Sequence, residues 1–371
     1  MNKRCLASEG RSRMDNLVRR SMNACLVLGL AVVANAATAP ASAREICETG
    51  VPEWQPGRVE IDPAAGYVEA DGRIRIVGYN DMSDMLSALA QAFTQAHPQV
   101  RFDLILKGTR TAPPALTSGQ SLFAPMGAHF TPADLAAFRQ VHGREPLLFN
   151  IAHDSLSPAA LSSPQGIYVH PSNPLSRISV DQARRIFTQG AGAGQITRWG
   201  QLGLGGAWAD RPIAPAGLGD PTAIGQLLLR TKFAGRKWTD NFTAKLQSRD
   251  LVAHVADRPD AIAFANLNHA NPRVKLVPIA EHEGGPYFRG TPADIRSGRY
   301  PFDRHLLVYL PQRRDGSVDS LAREWMNLIL SCQGQQIIAQ GPLGYLPLNP
   351  AEIRHERRKL PAPGFERSSQ R

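Results

Sequence analysis

Residues 73–98, RIRIVGYNDMSDMLSALAQAFTQAHP, hold a strand, a turn and a helix start in unbroken succession, and this run limits the chain to an α/β fold. Ile74, Ile76 and Val77 make a short β-branched strand, and Gly78 permits the turn that follows. Met82, Met85, Leu86, Leu89, Ala90 and Phe93 then recur at three- and four-residue spacing, which draws one core-facing helical stripe. Asn80, Asp81 and Ser83 are candidate caps for this helix, and His97-Pro98 ends it because proline lacks a backbone donor. Such a helix aims its unpaired amides over the carboxyl end of the sheet, where anions bind in many α/β proteins. Others start the same way with no ligand at the turn, so the motif fixes the architecture before it fixes a function.

Further along, residues 100–106 alternate apolar and polar side chains as a second strand, and residues 108–111 form a hydroxyl-rich turn. Thr131 and Ser179 are predicted N-caps of helices, and residues 147–151, 166–170, 261–267 and 274–279 read as strands. The opening pattern returns at residues 213–217 followed by LGDPTAIGQLLLRTKF, with Asp220 or Thr222 as the cap of an apolar-striped helix. GRYPFDRHLLVYL reads as a turn and a strand, and LAREWMNLILSCQGQQIIAQ as one long helix. Two βα units with polar helix starts predict two α/β lobes facing a cleft. The expected organisation is a signal peptide at 1–43, lobe 1 at 44–155, lobe 2 at 156–304, a return segment of lobe 1 at 305–350 and a disordered charged tail at 351–371.

The N-terminus has the layout of a secretory signal. Arg19 and Arg20 precede an apolar run at residues 24–34, followed by ATAPASA, which is too short to span a bilayer. Cleavage would leave an exported, periplasmic protein with Cys47 and Cys332 as its two cysteines. Export permits a disulfide between them, and two unconnected thiols is the alternative, because sequence does not set the distance between their Cα atoms. The net charge of +10 resembles a nucleic-acid signal until it is located. Residues 1–43 carry six basic and two acidic side chains, and residues 351–371 carry six and three, so the charge sits mainly at the termini. The remainder is nearly balanced and has no basic stripe interleaved with aromatics, which argues against a nucleic-acid partner.

Across residues 74–348 the chain carries, in order, IRIVG, AFTQAHPQV, KGTRTAPPAL, APM, HPSNPL, ARRIF, TRWGQLGLGGAW, DRPI, GRYPFDRHLLVYL, SCQGQQII and GYLPL. In that order and spacing it resembles the PstS-type phosphate receptors of bacterial ABC importers, members of the periplasmic binding protein group. The resemblance implies a two-lobed periplasmic binding protein fold of type II that closes over one small anion, phosphate or an analogue. It implies a monomer that docks to an ABC transporter permease in the inner membrane, makes and breaks no bond and needs no cofactor.

Carried over residue by residue, it implies a ligand site of Asn80, Asp81, Met82, Thr109, Arg110, Thr111, Asp220, Thr222 and Ala223. Backbone amides near Met82 and Ala223 would be donors, with Arg110 as the countercharge. The family's first loop, Gly-Ser-Asp-Thr-Met, is here Gly78, Tyr79, Asn80, Asp81 and Met82. Its third, Pro-Met-Ser-Arg, is Pro125, Met126, Gly127 and Ala128, and a further family arginine is replaced by Leu218. Asp81 and Asp220 add carboxylates, which repel an oxyanion unless a proton or cation intervenes. Three accounts stay open: phosphate in an altered site, a different and amine-bearing solute, or a receptor shape kept for contact with another protein, in an interaction or sensory role. Tyr79 either covers the ligand's place or packs against the opposite lobe.

Other constellations are weaker. His153, Asp154 and Ser155 have a triad's composition, but consecutive residues on an extended run point in different directions. His282 and Glu283 lack a partner at metal-ligand spacing, and the mature cysteines form no CxxC pair, so no metal is expected. Trp199 and Trp208 read as packing residues.

Overall fold

The computed structural model describes Cys47 and residues 50–361; the expected signal peptide and residues 362–371 of the expected tail lie outside them. In the first part of the chain, β1 (Ile74–Val77) runs into α1 (Ser83–Ala96) and returns as β2 (Phe102–Ile105), which pairs with β1 in parallel. There follow α2 (Ala112–Thr117), β3 (Ala124–Met126), α3 (Pro132–His142) and β4 (Leu147–His153).

The chain then crosses to a second body made of β5 (Gln165–Val169), β6 (Ile178–Ser179), α4 (Val180–Phe187), β7 (Ala214–Leu218) and α5 (Ala223–Thr231). The same body continues through β8 (Thr243–Lys245), α6 (Ser248–Ala256), β9 (Ala261–Asn266), β10 (Lys275–Val277), β11 (Ile279–Ala280) and α7 (Pro292–Arg296). It crosses back into β12 (His305–Leu310), and α8 (Ser320–Ile329), α9 (Cys332–Ala339) and α10 (Pro350–Arg358) complete the first body.

Two large cores result. The second body's sheet, in the order β10-β5-β9-β7-β8, mixes parallel pairing of β7 with β8 and β9 and antiparallel pairing of β5 with β9 and β10. Its core is drawn from residues 167–302, among them Phe187, Trp199, Phe233, Phe264 and Phe302. The first body's core takes residues from 51–160 and from 306–353, with Trp325 packed 4.7 Å from the Phe102 ring and 5.4 Å from Phe123. A smaller cluster under α2 and α3 includes Met126, Phe130, Phe138 and Tyr309. β12 lies between β3 and β4, antiparallel to both, so the returning strand is the centre of its sheet.

Local chemistry explains most of the boundaries. Thr131, Ser179 and Thr222 each accept a hydrogen bond from the backbone N–H three residues on, which satisfies one of the donors a helix start leaves unpaired. At α1 the structure departs from expectation: no side chain caps the helix, and a 3-10 turn over Asn80–Met82 leads the chain in. The single long helix expected near the C-terminus is broken into α8 and α9. Ser331 caps the second piece, accepting from Gly334 N and donating to Leu328 O. A Cβ on Gly334 would lie 2.0 Å from that same carbonyl, so only glycine fits the close turn.

The expected disordered tail at 351–371 is corrected over its first half. Asn349 and Glu352 form a capping box at the start of α10, and Ile353 and Glu356 are buried. Glu356 accepts from Asn150 N, which ties the helix to β4 although most of its residues are polar. A disulfide joins Cys47 to Cys332, whose Cα atoms are 5.1 Å apart across 285 positions. Among the described residues no helix is long and apolar enough to cross a membrane.

Candidate functional site

The two crossings between the bodies come together in a small set of charged side chains. Arg304, directly before β12, is 8% exposed and its Nη1 lies 3.0 Å from Oδ2 of the fully buried Asp154. Its other guanidinium contacts are backbone carbonyls: Nη1 to Ser163 O at 3.3 Å and Nη2 to Gly127 O at 2.8 Å. The Nε is buried and makes no hydrogen bond. Burial pushes the Asp154 carboxyl up to about 6, against the pull of Arg304. Removing either partner would leave the other charge buried and uncompensated, so the pair holds the crossing segments in one arrangement.

Beside this pair a cavity of about 260 Å³ opens between the bodies. Ala128, His129 and Arg304 form one wall, and Ala223, Ile224 and Arg230 of α5 form the other. No carboxylate lines it. Thr222 uses its hydroxyl to accept from Gly225 N, while Gln226 N bonds Thr222 O, so the first turn of α5 meets the cavity with the amides of Ala223 and Ile224 unpaired. His129 has its pKa lowered, first by burial and then by Arg304 and Arg230. The electrostatic sense of the cavity is therefore positive: a helix N-terminus and the Arg230 guanidinium, with the Arg304 charge balanced by Asp154. A second cavity of about 210 Å³ adjoins it, lined by Gly127, Asn150, Lys232, Asp303 and His305 among others.

Of the residues expected from the sequence, Ala223 lines the cavity and Thr222 shapes it as the cap of α5. Asp81 is buried, and its Oδ2 accepts from Leu161 N at 2.8 Å and from the Tyr345 hydroxyl. Met82 is fully buried in the first core. Asp220 is exposed and accepts from the Trp238 indole at 2.7 Å. Thr111 turns its hydroxyl back to Gly108 O, and Asn80 and Arg110 are exposed. Thr109, half-buried, begins the 3-10 turn that includes Arg110.

Tyr79 packs between the first and third loops. Its ring is buried against Gly127, where a Cβ would come within 2.4 Å of it, and its hydroxyl lies 3.1 Å from Ser162 Oγ. The aromatic side chain fills the space between the first and third loops, and the open volume lies on the far side, next to Ala128 and α5.

Sequence reasoning missed Arg304, His129 and Arg230. Arg304 stands in GRYPFDRHLLVYL, where it reads as a turn residue before a strand, and nothing local signals that Asp154 would bury it. His153, Asp154 and Ser155 do point to separate partners. His153 Nδ1 is 2.6 Å from Asp303, Asp154 meets Arg304, and the Ser155 hydroxyl donates to Leu343 O. Burial alone would lower the His153 pKa, but Asp303 and Glu352 raise it to about 9. His282 pairs with Asp181 at 2.9 Å on the surface, and Trp199 is buried in the second core with Trp208 packed edge-on against it.

A family model for the PBP superfamily domain matches residues 62–332. The phosphate-binding protein PstS of Pseudomonas aeruginosa is 28% identical over 300 residues, covering 79% of this chain and 89% of that protein. Among solved structures, PstS from Borrelia burgdorferi superposes with a TM-score of 0.50 at 14% identity, over 74% of this chain and 98% of that one. An ABC-type phosphate transport receptor from Vibrio cholerae gives 0.49 at 18% identity, over 74% and 99%. The likeness to the B. burgdorferi protein is a likeness of fold.

Proposed function

The chain belongs to the PBP superfamily domain family, and we propose that it is an exported solute receptor that holds phosphate in the cavity between its two bodies. The observation that carries this reading is the cavity wall itself: the free amides at the start of α5, with Arg230 on the same helix, face Arg304 across a space with no carboxylate among its lining residues. A helix N-terminus and a guanidinium are complementary to a phosphate oxyanion, and their attraction grows as closure removes water. The relationship to the P. aeruginosa phosphate-binding protein supports the same ligand.

The two aspartates that would have opposed an anion have other work. Asp81 is bound by Leu161 N and Tyr345, and Asp220 by Trp238. With Tyr79 packed into the first loop, the countercharge passes from Arg110 to Arg230, beside Arg304 in its pair with Asp154. Binding would draw the bodies together about the segments that cross at residues 154–164 and 303–304, and the closed form would dock to a permease of an ABC importer in the inner membrane, the chain itself working as a monomer in the periplasm. No bond is made or broken in this cycle.

Calorimetry of the exported chain with phosphate tests the reading. Saturable one-to-one binding is expected, and Ala223→Asp abolishes it while leaving the fold intact, because an acidic residue in the first turn suits the helix but repels the anion. Absence of a response to millimolar phosphate overturns the reading. Unchanged affinity in Ala223→Asp overturns the location.

A further inference from the structure

A cluster of imidazoles and carboxylates lies beside the second cavity. His153 closes β4 and His305 opens β12, and antiparallel pairing sets the two residues opposite each other with ring centroids 4.7 Å apart. Glu352 reaches them from the first turn of α10, where Asn349 N donates to its Oε2 at 2.8 Å. The His153 Nε2 lies 3.0 Å from Glu352 Oε2, and the His305 Nε2 lies 3.9 Å from Glu352 Oε1. One donor atom from each of the three falls within 4.8 Å of the others, and among the described residues this is the one such group of metal-binding type.

The second observation concerns how His153 is held. Its Nδ1 is 2.6 Å from Asp303 Oδ2, while its Nε2 is buried and, despite the nearby carboxylate, makes no hydrogen bond of normal geometry. A carboxylate on one ring nitrogen fixes the tautomer and aims the other nitrogen, which is how metal-ligating histidines are commonly oriented.

We infer that His153, His305 and Glu352 form a binding site for a divalent transition metal of the zinc type, with Asp303 positioning His153. Two imidazole nitrogens and one carboxylate oxygen suit zinc and leave a further coordination position for water. The adjoining cavity of about 210 Å³, lined in part by Asp303 and His305, supplies the space for that water and the route of entry. The metal would fasten β4, β12 and the C-terminal helix at the point where the chain crosses between bodies. Neither Cys47 nor Cys332 contributes, since both are in the disulfide. The inference is independent of the phosphate reading.

The test uses the exported chain purified without a histidine tag, stripped with chelator and titrated with zinc chloride. One zinc per chain is expected, with affinity at least tenfold weaker in His305→Ala and about 10- to 100-fold weaker in Asp303→Asn. Cobalt(II) bound to the wild-type chain is expected to give the intense visible bands of a four- or five-coordinate site, a reading that stands even where a variant fails to fold. No stoichiometric zinc, equal affinity in His305→Ala, or a cobalt spectrum no different from the aqueous ion overturns the site. A protein that binds phosphate normally but fails these measurements loses the metal site alone.

Discussion

Tyr79 and Gly127 show how one pair of residues shapes the space between two loops. The ring occupies space that a smaller residue would leave open, and glycine at 127 is what allows it, since any Cβ there meets the ring. Gly127→Ala is expected to destabilise the protein by about 1–3 kcal/mol through overpacking. In a Tyr79→Ser background the same change should cost at least about 1 kcal/mol less, because the clashing group has gone. Denaturant titration of the four proteins of this cycle measures the coupling, and additive effects would contradict the packing argument. The sequence exposed Tyr79 as the odd residue of its loop but not where its ring goes, because that depends on position 127, far along the chain. Arg304 was hidden for the same reason: its role follows from Asp154 and Gly127 O, which are brought to it by pairing and not by spacing. Thr222 as the cap of α5 was legible because a helix start with its cap is a local pattern.

At the scale of elements, the opening βα unit and its echo at β7 and α5 follow directly from periodicity and turn residues. Strand order does not: β12 enters between β3 and β4 from more than a hundred residues away, and no local pattern encodes that neighbourhood. The two misread segments near the C-terminus share a cause. Apolar spacing runs through the junction of α8 and α9, but Ser331 and Gly334 turn the chain there; the composition of α10 is polar, but two buried side chains are enough to dock it. Ile353 is fully buried in the first core, so Ile353→Ala is expected to lower stability by about 2–5 kcal/mol, read as a shift in the denaturation midpoint. A change below about 0.5 kcal/mol would mean that α10 is not part of that core.

Across the whole molecule, the disulfide links Cys47 to α9 and closes most of the chain into one loop. Replacing both cysteines by serine is expected to cost about 2–5 kcal/mol, chiefly by freeing the unfolded chain, and thermal unfolding of oxidised and serine forms measures it. Equal melting temperatures would remove the bridge from the account of stability. The way the two cores draw on the sequence has a consequence for biosynthesis. One is supplied by a single stretch, the other by segments from both ends. A chain delivered from its N-terminus can pair β1 with β2 at once and finish the contiguous core while α1 still waits for α8 and α9. During that interval the face of α1 that those two helices cover must be shielded by something other than its native neighbours.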